Sequence, residues 1–256
     1  MTVTLHHERH GDPSAPTVLF LGSLGSDLSM WQPQIDALAE TRHVVAVDHR
    51  GHGSSPTPQG PYTMAELGGD IVALLDSLGL DSVDHVGLSL GGAVGQWLAA
   101  HRPDRIRTLT LLCTSAAFQP AQPWYDRAAT VRADGLASIA DSIVSRWFSP
   151  GRAARDPELV ARHVEMVKGT TDEGYAACCE ALATWDGRDD LARITAPTLV
   201  IAGEQDPATP PSTMQALADG IADSAFHIAD PAAHLANVEQ PELVTTLITA
   251  HLGVTS

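Results

Sequence analysis

The sequence predicts an α/β fold: a mostly parallel β-sheet, helices on both faces, and a helical cap inserted after the strand ending near Cys113. Three observations predict it. Runs such as Thr17–Gly22 (Thr-Val-Leu-Phe-Leu-Gly) and His43–Asp48 are apolar, of strand length and without polar alternation, the pattern of strands covered on both faces. Such runs alternate with segments of helical pattern, which implies right-handed crossovers between parallel strands. From about Phe118 to Arg193 the strand-like runs stop, and the helical pattern is broken by Pro120, Pro123, Pro150, Gly151 and Pro157. The expected division is a core of residues 1–117 and 194–256 and a cap of residues 118–193. The cap would lie over the carboxyl edge of the sheet, where open α/β sheets take their ligands.

In chain order, Val3 to Glu8 reads as an edge strand ended by Gly11-Asp12-Pro13. Thr17–Gly22 runs into the turn Ser23-Leu24-Gly25-Ser26 and then a helix from about Met30 to Glu40. His43–Asp48 opens onto the loop Asp48-His49-Arg50-Gly51-His52-Gly53-Ser54-Ser55, in which Arg50 is expected to brace its own loop. Thr63-Met64-Ala65-Glu66 has the form of a capping box and starts a helix to about Leu78, stopped by Gly79. Strands at Val83–Leu88 and Ile106–Cys113 flank a helix rich in Ala, Leu and Gly. Beyond the cap, strands at Thr198–Ala202 and Ala225–Ala229 each lead through a loop to a helix, the last at about Pro241–Leu252.

Composition excludes several classes. Lys plus Arg number 15 against 31 for Asp plus Glu, and the net charge of −16 argues against nucleic-acid or anionic-membrane partners. An anionic substrate would need a local cationic patch. Three cysteines, two of them neighbours, make no disulfide framework. No apolar run approaches the ~18 residues of a membrane span, and Met1–His10 has no basic stretch leading into an apolar one. The expectation is a soluble cytoplasmic protein, a monomer or small homo-oligomer.

Gly87-Leu88-Ser89-Leu90-Gly91 sits where a strand turns into a helix. A turn that sharp strains Ser89 and brings the chain on either side into contact, so Gly87 and Gly91 have no room for a Cβ. It also lifts the Ser89 hydroxyl clear and aims a helix N-terminus beside it. A serine hydroxyl needs an adjacent base and a group to orient that base. Among twelve histidines, His234 alone downstream of Ser89 stands in a loop between the last strand and the last helix. His101, His163, His227 and His251 fall in helices, the cap or a strand. Asp206 heads the loop after the preceding strand, with Glu204 and Asp230 as competitors. It completes the order serine, acid, histidine. Two N–H groups are needed for an oxyanion: Leu90, after the nucleophile, and Ser23, after the Thr17–Gly22 strand.

The chain resembles the α/β-hydrolases over nearly its whole length, and several segments are similar to 3-oxoadipate enol-lactonases of the β-ketoadipate pathway of aromatic catabolism. The residues that carry this are Ser23-Leu24-Gly25-Ser26-Asp27-Leu28-Ser29-Met30-Trp31, Asp48-His49-Arg50-Gly51-His52-Gly53, the elbow with Gly92-Ala93, and Ala232-Ala233-His234-Leu235-Ala236-Asn237. Leu21-Gly22 replaces the His-Gly pair of most relatives, and the extra edge strand common in the family is expected to be short or absent. The resemblance implies hydrolysis of a small anionic enol-lactone without metal or organic cofactor. The substrate's carboxylate would take an arginine from Arg127, Arg132 and Arg146, with Trp124 or Trp147 packing the ring. Alternatively those arginines pair with Asp126, Asp134 and Asp141. A carboxylesterase or thioesterase of the same fold, or a receptor of hydrolase form, remains open because fold does not fix the acyl group.

Overall fold

The computed structural model describes residues 2–253. Its seven strands are β1 (His7–His10), β2 (Thr17–Leu21), β3 (His43–Val47), β4 (Val83–Leu88), β5 (Ile106–Leu112), β6 (Thr198–Gly203) and β7 (Ser224–Ala229). They form one sheet in the order β1-β3-β2-β4-β5-β6-β7. Only β1 is antiparallel, on β3. Every residue of β2, β3, β4 and β6 is buried. Both faces are therefore covered, as the unbroken apolar runs require.

Between strands lie α1 (Gln32–Leu38), α2 (Met64–Leu78) and α3 (Leu90–His101). The Thr63–Glu66 capping box forms with both reciprocal bonds, and Gly79 ends α2 at φ 66°. The helix expected over Met30–Glu40 is instead a 3-10 turn, Leu28–Trp31, followed by α1. The edge strand expected at Val3–Glu8 starts only at His7. The Val3 N–H donates to Asp70 (2.9 Å) and the His6 N–H to Ser55 Oγ (2.8 Å), so side chains take the donors that a strand would give to β3.

The insertion holds α4 (Gln122–Asp134), α5 (Ala140–Val144), α6 (Pro150–Arg155), α7 (Pro157–Gly169) and α8 (Asp172–Thr184). Pro123, Pro150 and Pro157 fall in the first turns of α4, α6 and α7, where a missing N–H costs nothing. Its ends meet in a bridge between Ala117 and Asp186. The 3-10 turn Arg188–Arg193 packs on α3 and so belongs with the core. Beyond β6 come α9 (Pro211–Asp219), α10 (Ala236–Glu239) and α11 (Pro241–His251). No helix among the described residues is long and apolar enough to cross a membrane.

Candidate active site

Ser89 sits between β4 and α3 with φ 55° and ψ −110°, a left-handed strain that only surrounding structure can hold. A Cβ on Gly87 would lie 2.3 Å from the Gly91 oxygen, and one on Gly91 would lie 2.2 Å from the Leu21 oxygen. Three bonds brace the turn. The Ser89 N–H donates to the Leu112 oxygen (3.0 Å), Thr114 Oγ1 donates to the Ser89 oxygen (2.7 Å), and His85 Nε2 donates to the Gly91 oxygen (3.0 Å). Burial pushes the His85 imidazole down to about 4, only partly offset by the Gly91 bond, so it stays neutral.

Asp206 and His234 reach the same carboxyl edge from the loops after β6 and β7, and His234 Nδ1 lies 2.8 Å from Asp206 Oδ2. Asp206 also accepts from the Ala208 N–H (2.8 Å), the Thr209 N–H (3.2 Å) and the Thr209 hydroxyl (2.7 Å). Burial alone would raise this carboxyl. The His234 charge and hydrogen bond, with the Thr209 and Ala208 donors, outweigh it and hold the group at about 2. An ionised Asp206 fixes the proton of His234 on Nδ1 and leaves Nε2 as a base. Glu204 and Asp230 are exposed. Among the described residues the imidazole's hydrogen-bond partner is Asp206, and the imidazole makes no hydrogen bond to Ser89, a contact of the kind that forms only when substrate fills the site.

Leu90 opens α3, so its N–H has no acceptor within the helix. Ser23 follows β2, in a turn held from two sides. His49 Nε2 donates to the Gly22 oxygen (3.0 Å), which also accepts the Gly91 N–H (3.0 Å), and His52 Nε2 accepts the Gly25 N–H (2.9 Å). Gly22 thus ties the Ser23 turn directly to the elbow. Burial, then the nearby His52, drives His49 down to about 3. Burial likewise lowers His52. Arg50 ties its loop to α2, through two bonds to Asp70 (2.6 and 2.8 Å).

A cavity of about 230 Å³ is lined on the core side by Ser89, His234, Ser23 and Leu24. The cap supplies Phe118, Trp124, Ile143, Trp147 and Tyr175, together with Arg127 and Arg146. Arg127 lies 4.8 Å above the Trp124 ring. Among the described residues neither Arg127 nor Arg146 has an ion-pair partner, whereas Asp126, Asp134 and Asp141 were candidates for them. Burial and then the Arg127 charge lower the Arg146 pKa. Contrary to expectation, Arg132 does not line the cavity: it forks onto Glu173 (2.8 Å) and Glu180 (2.6 Å) on α8. Its spacing on α4 turns it toward α8, five residues beyond Arg127. Tyr175 carried no signal in the sequence, because its place depends on α8 packing against α4.

Residues 16–241 match the family described as alpha/beta hydrolase fold. The chain is 43% identical to the 3-oxoadipate enol-lactonase 2 of Acinetobacter baylyi, over 94% of this chain and 90% of that one. It is similar to the enol-lactonase structure from Burkholderia xenovorans, with TM-score 0.95, 37% identity and coverage of 97% and 96%. A malate-bound thermophilic esterase from Thermogutta terrifontis matches with TM-score 0.92 and 31% identity, over 97% and 93%. The family match spans the elbow, the Asp206 loop and the His234 loop alike, and the chain belongs to the α/β-hydrolases.

Proposed function

We propose that this chain hydrolyses 3-oxoadipate enol-lactone to 3-oxoadipate in the cytoplasm, with Ser89 as nucleophile, His234 as general base and Asp206 as its orienting carboxylate. The carrying observation is that two guanidiniums without ion-pair partners among the described residues, Arg127 and Arg146, share the cavity with Ser89 and His234 in a chain of net charge −16. Arg127 is half-buried and Arg146 is exposed at the cavity's open side, and cations placed beside a nucleophile without a protein carboxylate favour an anion on the ligand. The similarity to enol-lactonases supplies the ring chemistry. The cavity's aromatic walls suit a small planar ring.

His234 Nε2 takes the Ser89 proton as Oγ attacks the lactone carbonyl. The N–H groups of Leu90 and Ser23 receive the oxyanion. The ring C–O bond then breaks, His234 gives the proton it took from Ser89 to the departing enolate oxygen, and the resulting enol becomes the ketone. His234 next takes a proton from water, whose oxygen attacks the acyl carbon, and returns it to Ser89 as the acid departs. A second reading, a carboxylesterase on another small anion, draws on the malate-bound esterase. Loss of the lactone's ultraviolet absorbance, measured beside p-nitrophenyl acetate for wild type and Ser89→Ala, separates the two. Ser89-dependent turnover of the lactone is expected; rapid ester cleavage with an inert lactone would favour the esterase.

A further inference from the structure

Glu239, on α10, is a buried carboxylate that faces three donors and no cation among the described residues. Its Oε1 accepts the Ser149 N–H (3.0 Å) and the Ala233 N–H (2.6 Å), and its Oε2 accepts the Ser149 hydroxyl (2.5 Å). Ser149 is the N-cap of α6, in the cap, and Ala233 immediately precedes His234. On the other side of the histidine, the Leu235 N–H donates to the Trp147 oxygen (2.9 Å). His234 is therefore bracketed: the residue before it is joined through Glu239 to Ser149, and the residue after it is joined to Trp147. The side chain of that same Trp147 lines the cavity.

A buried carboxylate is costly unless its lone pairs are satisfied, and here the satisfaction comes from two segments that sequence separates by some eighty residues. Removing the acceptor frees buried N–H groups on both segments at once, so each must move to find a partner. We propose that Glu239 is a positioning residue that holds the base, His234, in register with the cap segment Trp147–Ser149, so that the wall touching substrate and the base acting on it keep one geometry. This rests on the reading of Ser89 and His234 as nucleophile and base. It does not depend on the lactone as substrate.

The test uses a p-nitrophenyl alkylphosphonate. Ser89 Oγ bonds to phosphorus, p-nitrophenolate leaves with the electron pair, and His234 takes the serine proton, so one equivalent of nitrophenolate reports the serine and its base alone. Glu239→Leu is expected to lower the limiting rate by about tenfold or more, with the half-saturating concentration little changed, as small misplacements of catalytic groups do. Glu239→Gln should stay close to wild type, because an amide oxygen can remain where the Ser149 and Ala233 N–H groups converge. Ser149→Ala should give a smaller fall, and none further when added to Glu239→Leu. If the leucine variant does not fold, Glu239→Asp, one carbon too short to span the gap, carries the same expectation.

A leucine or aspartate variant reacting at the wild-type rate overturns the proposal. So does a glutamine variant as slow as the leucine one, or a Ser149→Ala effect that adds in full. Normal phosphonylation with no lactone turnover sinks the proposed substrate and leaves Glu239 in place. A wild-type Ser89 that does not react sinks both.

Discussion

A Cβ built on Gly87 would stand 2.3 Å from the carbonyl oxygen of Gly91, backbone against backbone, with no flexible side chain to yield. Gly87→Ala must therefore deform the turn that holds Ser89. Overpacking of this kind costs about 1–3 kcal/mol, and the loss should appear both in Tm and as a fall of about tenfold or more in kcat. Gly79→Ala is the contrast: its Cβ meets nothing within 4 Å, but its φ of 66° strains any other residue. That variant should lose about 1 kcal/mol of stability with kcat intact, as measured by urea unfolding beside turnover.

Asp206→Asn keeps the size of the side chain and removes the charge that fixes the His234 tautomer. The expected fall in kcat is on the order of 10³–10⁴, as for the acid of other triads. Stability should fall as well, by about 2 kcal/mol at neutral pH, because the charge whose partners hold this carboxyl at about 2 is lost and one amide oxygen cannot accept at both Oδ1, from Ala208, and Oδ2, from the Thr209 hydroxyl. A variant with near-wild-type kcat would move the acid role to another carboxylate.

What the sequence made legible is what short spacing encodes. The apolar runs of β2 to β6, the Thr63–Glu66 box and the contact of Gly87 with Gly91 all depend on residues a few positions apart, whereas Gly91 is confined by Leu21 on a distant strand. The loops after β6 and β7 were reachable too, because strand order alone brings Asp206 and His234 to one edge. What stayed hidden depends on distant partners. The start of β1 is decided by Asp70 and Ser55, the fate of Arg132 by Glu173 and Glu180, and the brace under His234 by Glu239 meeting Ser149. His49, His52 and His85 were visible as letters, but nothing local says that two of them hold the Ser23 turn and the third holds the elbow.

Arg127 and Arg146 should act on the charge of the ligand. Each changed singly to Gln is expected to lower kcat/KM for the anionic lactone by about tenfold to a hundredfold, chiefly through KM, the worth of one charge-assisted hydrogen bond. Hydrolysis of neutral p-nitrophenyl acetate should be nearly unaffected. Arg132→Gln, which cuts the bonds to Glu173 and Glu180 outside the cavity, should leave both substrates alone. Equal losses on the neutral and anionic substrates would remove these arginines from ligand recognition.

The buried histidines set the acid limit of the fold. His85 at about 4 and His49 at about 3 lie below the ordinary 6.5, and in both cases burial is the largest cause. The unfolded chain binds their protons first as pH falls, so their contribution is complete above about pH 6.5 and is lost progressively toward pH 4 and then pH 3. Asp206, at about 2, works in the same direction but only below about pH 4, outside the upper part of that window. Between pH 7 and pH 5, His85 alone should account for about 2 kcal/mol of lost stability. His85→Gln can still donate to the Gly91 oxygen but takes up no proton, so urea unfolding at the two pH values should show a loss smaller by about that amount. An unchanged pH slope in His85→Gln would mean that the imidazole beneath the elbow takes up its proton as readily in the folded protein as in the unfolded chain.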